Sequence, residues 1–321
     1  MKLMINNNMI RLMAVGIVGL LLYSCYEDTP IGDPLPIEPD YTLPQGNASQ
    51  TANDRIQQIY DTYGSYILYN FTQKDFEWTI ASGSANSAQI IGTPENPEYV
   101  EAMLNLLDKY WIGLFPDEFM KGAGLPYRVF LTDSIQSLRV PGVYNPAQRQ
   151  GLYYAYKITG MSLAFTTLSE DLRTLDDAGK QTMRDRIQAT VWRYYFEKEI
   201  FDFINLPERW DELSDYSTTV TVAAAPGRGF IPQMTLSTSS SAFMLTAPIV
   251  FNVTASNWFQ SSTTRNKKND VFAYITQLTQ KTTEEIQPLI VNDIIQEKFE
   301  IIQKYFRDTY SIDLAAIGNF R

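Results

Sequence analysis

Carboxylates crowd one stretch of this chain. Glu197, Glu199 and Asp202 stand close together, and Glu208, Asp211 and Glu212 follow. Paired carboxylates run glycosidic acid/base chemistry, and hard oxygen donors of this kind also hold calcium. Solvated helix faces and helix-end charges explain the same residues, and that is the reading we favour. Within the stretch, Lys198-Glu199-Ile200-Phe201-Asp202 places Lys198 and Asp202 at i, i+4. On a helix they would share a face and could bridge, for roughly a few tenths of a kcal/mol. No histidine occurs in the 321 residues. The commonest zinc ligand and the commonest general base near neutral pH are therefore missing. Neither a Ser-His nor a Cys-His nucleophile can form, and no Ser-x-x-Lys is present. Gly122-Ala123-Gly124 and Gly227-Arg228-Gly229 lack the third glycine of a dinucleotide loop and read as turns.

The elements that must position these residues follow from periodicity. Asn53 is expected to cap a helix carrying Ile56, Ile59, Tyr60, Tyr63 and Ile67 at helical spacing. A second helix follows Pro97, with Val100, Met103, Leu104, Leu107 and Trp111 on one face. Residues 76–80, 127–131 and 152–158 are aromatic and β-branched and read as strands. From Asp177 a helical pattern through Met183, Ile187 and Val191 runs on into Tyr194 to Asn205, closed by Pro207. Residues 214–250 read as a long irregular excursion, and Asp270 to Leu278 as a helix. The last helix is expected from Thr283, with Pro288 in its first turns and the stripe Ile295, Phe299, Ile302 and Phe306 buried. The fold class is thus α+β, mixed in the first half and mainly helical in the second. Residues 54–321 make one domain, with two subdomains the alternative.

Ahead of this body, Lys2 and Arg11 flank a polar segment, and the apolar run Leu12 to Leu22 follows. It is shorter than the ~20 residues a bilayer span needs and reads as a signal-peptide core, residues 1–24 in all. It ends in Leu22-Tyr23-Ser24-Cys25, similar to a bacterial lipobox, with the chain's single cysteine at the position that would carry lipid. Tyr26-Glu27-Asp28 resembles the surface-export signal of Bacteroidetes lipoproteins. The Pro-rich residues 25–53 read as an extended tether. Removing residues 1–24 takes away two positive charges and no negative ones, making an already acidic chain of formal net charge -10 more so. Such a body is a poor partner for nucleic acid.

Aromatic residues make up 13% of the chain, 20 Tyr, 17 Phe and 5 Trp. The runs Tyr153-Tyr154-Ala155-Tyr156 and Trp192-Arg193-Tyr194-Tyr195-Phe196 cannot bury every ring on one face of an element. Some are expected to be exposed or to meet a partner such as a peptide or glycan.

The C-terminal tract Ile294-Ile295-Gln296-Glu297-Lys298, Ile301 to Phe306 and Ser311-Ile312-Asp313-Leu314 resembles the closing helix of a Bacteroidetes family of zinc-binding metallopeptidase lipoproteins. Ala255-Ser256-Asn257 and Asp270-Val271-Phe272-Ala273-Tyr274 resemble that family's tract ending in Glu-Asp-Phe-Ala-Glu. Tyr60-Asp61-Thr62-Tyr63-Gly64 and Phe115-Pro116 extend the likeness. The resemblance implies a zincin-like fold in which Lys198 replaces the first ligand histidine, Asp202 the second, and Tyr274 the ligand glutamate. Glu199 stands for the general base. All four are then expected close together across two packed helices, as a degenerate site with neither metal nor cofactor. It also implies an outer-membrane, surface-exposed lipoprotein, a binding or accessory subunit of a TonB-dependent, SusC/SusD-like importer with a lipoprotein lid. The alternative is an active metallopeptidase, or a carboxylate-dependent hydrolase, with a rearranged site. Two or more acyl chains retain a protein at a membrane where one does not. Cys25→Ala is therefore expected to release the protein into the soluble fraction or leave it unprocessed. Unchanged membrane fractionation of that variant would refute the anchor.

Overall fold

Strand β3 (Arg128–Leu138) organises the sheet, because its two edges pair with three of the other four strands. The computed structural model describes residues 39–77, 89–138, 156–159, 162–167, 171–218, 220–221, 223–231, 234–236, 251–253 and 263–321. Cys25, the signal segment, the tether up to residue 38, residues 78–80 and 152–155, and Ala255-Ser256-Asn257 lie outside these residues. The first half of β3 pairs in parallel with β1 (Tyr66–Leu68) on one edge, and antiparallel β2 (Gln89–Pro94) continues that edge. On its other edge it pairs in parallel with β5 (Ser162–Thr166), which is flanked by antiparallel β4 (Tyr156–Thr159). A separate two-stranded sheet joins β6 (Met234–Leu236) to β7 (Phe251–Val253). Among the described residues no helix is long and apolar enough to cross a membrane.

Residues from Leu43 onward form one compact unit, so the end of the expected tether is part of the body. Helix α1 (Gln50–Tyr63) is capped by Ser49, whose hydroxyl accepts from Ala52 N at 3.1 Å. Asn53 is not the cap. Its buried amide donates to Gly46 O and Ala48 O and accepts from the Tyr69 hydroxyl at 3.0 Å, pinning residues 46–48 down. Gly64, at φ 68°, ends α1, so Ile67 falls in β1 rather than on the helix. Phe76, expected in a strand, lies in the short helix α2 (Gln73–Glu77), its ring packed against Phe71 and Phe130. Helix α3 (Pro97–Tyr110) begins where Asn96 and Pro97 place it, and Arg55 of α1 grips Asp108 of α3 through two nitrogens. The three-residue turn α4 (Asp117–Phe119) leads through a wider turn to β3.

The C-terminal half is helical. Helix α5 (Asp177–Glu197) buries most of its circumference, including Met183, Arg184, Gln188, Val191, Trp192, Tyr194 and Tyr195. The expectation that rings of the Trp192 run reach solvent therefore fails for Trp192, Tyr194 and Tyr195. The partly exposed face of α5 carries Arg186, Ala189, Arg193 and Glu197, and these three rings point away from it. Short α6 (Glu208–Glu212) precedes α7 (Thr263–Gln280). Pro288 divides the expected last helix: α8 (Thr283–Ile286) has a capping box of Thr282 and Glu285, and α9 (Asp293–Tyr310) restarts on Asn292. Arg184, buried on α5, donates to the carbonyls of Thr279, Ile317, Gly318 and Phe320 and so holds α10 (Leu314–Asn319) in place. A Cβ on Gly318 would lie 2.0 Å from Leu278 O, so only glycine permits that approach.

Glu95 lies between β2 and α3, 3% exposed, with Oε1 accepting from Asn96 N at 2.8 Å. Burial first, and the charge of Asp133 with it, push its carboxyl up to about 7 from 4.5. The fold thus favours the protonated form. Stability linked to Glu95 is fully present below pH 4.5 and is lost as pH rises through about 7. In buffer free of divalent cations, the loss should approach about 3 kcal/mol, since a tenfold difference in proton affinity between the folded and unfolded chain is worth about 1.4 kcal/mol. Glu95→Gln should flatten it. Chemical denaturation from pH 5 to pH 8 checks this; equal slopes in both proteins would show that Glu95 is ionised throughout.

Candidate functional site

Helix α5 stops at Glu197, before the residues expected to carry its chemistry. Lys198 is the cap, and Glu199 takes the left-handed conformation at φ 52°. Ile200 N then donates to Tyr195 O at 3.0 Å and Glu199 N to Phe196 O at 3.3 Å. These are the two bonds of a Schellman ending, with glutamate where glycine is usual. The expected helix through Asn205 is thus corrected. Phe201, Phe203 and Leu206 are all buried, a spacing that draws the chain away from the helical path into an extended turn. Lys198 and Asp202 share no helical face and form no ion pair. Asp202 instead folds its own turn: its carboxylate accepts from Ile204 N and Asn205 N, both at 2.9 Å, and from the Asn205 amide. Those bonds, the Asn205 backbone first, hold its pKa below the usual carboxylate value. Glu199 is exposed and ion-paired with Lys268 of α7.

Tyr274 does not join them. On α7, Lys268 and Phe272 face α5, where Phe272 stacks on Phe196 at 4.2 Å. Residues two positions apart on a helix point to nearly opposite sides, since each step turns about 100°. Tyr274 accordingly lies among Trp210, Phe299 and Gly229, and its hydroxyl donates to Gly229 O at 2.7 Å. Burial first, then the charge of Asp270, lifts its phenol well above 10. Of the four expected site residues, the structure places Lys198 and Glu199 in the ending of α5, Asp202 in the turn that follows, and Tyr274 in the core on the far side of α7.

What surrounds Tyr274 is a polar cluster that the sequence did not disclose. Lys298 of α9 has a fully buried side chain. Its Nζ donates to Ser214 Oγ at 2.8 Å, to Gly229 O at 3.0 Å and to Asp270 Oδ2. The rings of Trp210, Tyr274 and Phe230 stand 4.4, 5.0 and 5.2 Å from the ammonium. Tyr216 also donates to Asp270 Oδ2, at 2.8 Å, and Trp210 Nε1 to the Tyr216 hydroxyl. Burial raises the Asp270 carboxyl and lowers the Lys298 amine, and each charge pulls the other back. One signal was present: Lys298 lies three residues after Ile295 on the apolar stripe, where an unpaired charge would be too costly.

Three of the remaining carboxylates are engaged. Glu197 pairs with Arg193, Glu212 with Arg209 and Asp211 with Lys267, each within 3 Å. Inside α5 the buried polar i, i+4 pair is Gln188 and Trp192: Trp192 Nε1 donates to Gln188 Oε1 at 3.0 Å, and Gln188 donates to Tyr110 O. Among the described residues no three His, Cys, Asp or Glu side chains converge as a metal centre requires.

No protein-family model matches this chain, and no curated protein matches it. It is similar to a solved structure described as a "putative zinc-binding metallo-peptidase" from Bacteroides caccae, at 12% identity, with 85% of this chain and 92% of that chain covered and a TM-score of 0.45. At that level of likeness the other protein's activity does not transfer. The class established for this chain is α+β, a small mixed sheet with many helices.

The left-handed backbone at Glu199 costs roughly 1 kcal/mol for a residue with a Cβ, and its exposed ion pair returns little. Glu199→Gly is therefore expected to hold or raise stability, by about 0.5–1 kcal/mol. Urea denaturation measures it. A loss beyond about 1 kcal/mol would show that the carboxylate does more than close a helix.

Proposed function

We propose that this chain is a non-catalytic, lipid-anchored lipoprotein of the outer-membrane surface, a pseudo-metallopeptidase serving as a binding or accessory subunit of a TonB-dependent, SusC/SusD-like nutrient importer, with peptides as its cargo. The anchor rests on Leu22-Tyr23-Ser24-Cys25 and the acidic residues after it. The peptidase ancestry, and with it a zincin-like fold, rests on the sequence resemblance.

One observation carries the non-catalytic part. No register of α5 supplies a ligand pair. Its only carboxylates are Asp177, Asp185 and Glu197, none of them four residues apart. Catalytic zinc needs three protein ligands and an open position, and it supplies the Lewis acid and the acidic water that a lone carboxylate cannot replace. Glu199 and Tyr274, the residues that would stand for base and ligand, are engaged in a helix ending and in the core.

Affinity purification of the full-length protein from solubilised outer membranes is expected to bring down a TonB-dependent barrel, and the purified protein to cleave no peptide even with zinc in excess. Chelator-sensitive hydrolysis that Glu199→Gln abolishes would overturn the reading and make the chain an enzyme.

A further inference from the structure

A cavity of about 270 Å³ opens among the C-terminal helices, and none of its walls comes from α5 or the turn that follows it. Its floor is apolar: Leu278 of α7, Ile286 of α8, Ile290 of the turn before α9, Phe299 of α9 and Ala315 of α10. Gln296, Glu300 and Gln303 of α9 line it as well. Positions i, i+4 and i+7 of a helix fall on one face, so these three polar side chains stand in a row along one wall.

Each member of the row offers an acceptor. Gln296 Nε2 donates to Glu300 Oε1 at 3.0 Å, and Gln303 Nε2 donates to Phe299 O at 3.2 Å. Both amide oxygens are left without a donor among the described residues. Glu300 is exposed and is the one charged group in the lining. Among the described residues it forms no ion pair, because Lys304, one turn further on, reaches Asp308 instead.

A carboxylate and two amide oxygens carry one negative charge and accept several hydrogen bonds; a primary ammonium carries one positive charge and donates three. The apolar floor beside that wall calls for a hydrocarbon group next to the ammonium. The volume lies just below the roughly 300 Å³ at which drug-sized sites begin, so it suits a single residue rather than a folded partner. Thr283 and Gln287 add a hydroxyl and a carboxamide to the lining, groups that can pair with a peptide bond.

We propose that this cavity binds the N-terminal residue of a peptide, its ammonium held by Gln296, Glu300 and Gln303 and its apolar side chain packed against Ile286 and Phe299. The choice of a peptide over another apolar amine rests on the peptide-binding reading proposed above, since the wall and floor select only an ammonium and a hydrocarbon.

Calorimetric titration of the full-length protein in detergent with the tripeptide leucyl-alanyl-alanine at pH 7 tests the site. The peptide is expected to bind with a stoichiometry of about one and to raise the melting temperature, as any ligand of the folded state does. Acetylating its amine should weaken binding at least about tenfold, and Glu300→Gln should weaken the free tripeptide as much, because each removes a hydrogen bond between charged groups. Isoamylamine, which keeps the ammonium and the hydrocarbon but lacks the peptide bond, is expected to bind at least about tenfold more weakly. Ala315→Phe, filling the cavity from α10, should abolish binding; Glu300→Gln, on an exposed helix face, serves if that variant does not fold. No binding heat up to about 10 mM tripeptide, equal affinity for the acetylated peptide, or unchanged affinity in Glu300→Gln would overturn the proposal. Isoamylamine binding as tightly as the tripeptide would overturn the choice of a peptide. Failure on any of these counts leaves the importer and non-catalytic readings standing, since those are decided by recovery of a TonB-dependent barrel and by peptide hydrolysis.

Discussion

A buried ammonium holds the C-terminal half together. Lys298 cannot reach water, and taking an ammonium and a carboxylate out of water costs several kcal/mol each. The cost is offset because Nζ makes three hydrogen bonds and lies among three aromatic faces. Each partner belongs to a different part of the chain: Asp270 to α7, Ser214 to the segment after α6, Gly229 to the turn before β6. The excursion after residue 214, irregular in sequence, is thereby fastened to the helices beneath it at Ser214 and Gly229. Gly229 shows how tight the closure is, since a Cβ there would lie 2.5 Å from Ile294 Cγ2. Truncating one partner would strand the other's charge, at a cost of about 3–5 kcal/mol.

The end of α5 answers to a second constraint, the aromatic layer beneath it. Tyr195, Phe201, Trp192, Phe119 and Phe306 pack edge to face or stacked, with ring centroids 5.0 to 6.2 Å apart in each contacting pair. Bringing Phe201 into that layer requires the chain to turn back directly after Glu197. Continued helix through Asp202 would carry Phe201 away from Phe306 and Tyr310. Packing therefore decided the fate of the carboxylates: Glu199 took the strained position and Asp202 the turn that follows.

Much of this was legible beforehand, for physical reasons that can be named. Helix α3 was read correctly because Asn96-Pro97 starts it and one apolar face runs its length. Pro288 was noted but read within one helix from Thr283, whereas proline, which cannot donate, ends that helix and the next restarts at Asp293. The end of α5 was not legible. Its Schellman ending has glutamate in place of glycine, and Tyr194 to Phe203 continues an apolar pattern that a helix or a buried turn can satisfy equally. The place of Tyr274 was lost for a related reason, since two steps along α7 reverse the direction of a side chain and no sequence motif records which face meets α5. The Lys298 cluster joins residues from four separate segments, and such long-range pairing leaves only a misplaced charge in the sequence.

Several of the deepest polar groups of this body satisfy one another. Trp111 Nε1 donates to Tyr195, Tyr195 to Gly124 O, Trp192 to Gln188, and Tyr274 to Gly229 O. Each of these bonds ties two separate turns or elements together and makes the interior more rigid.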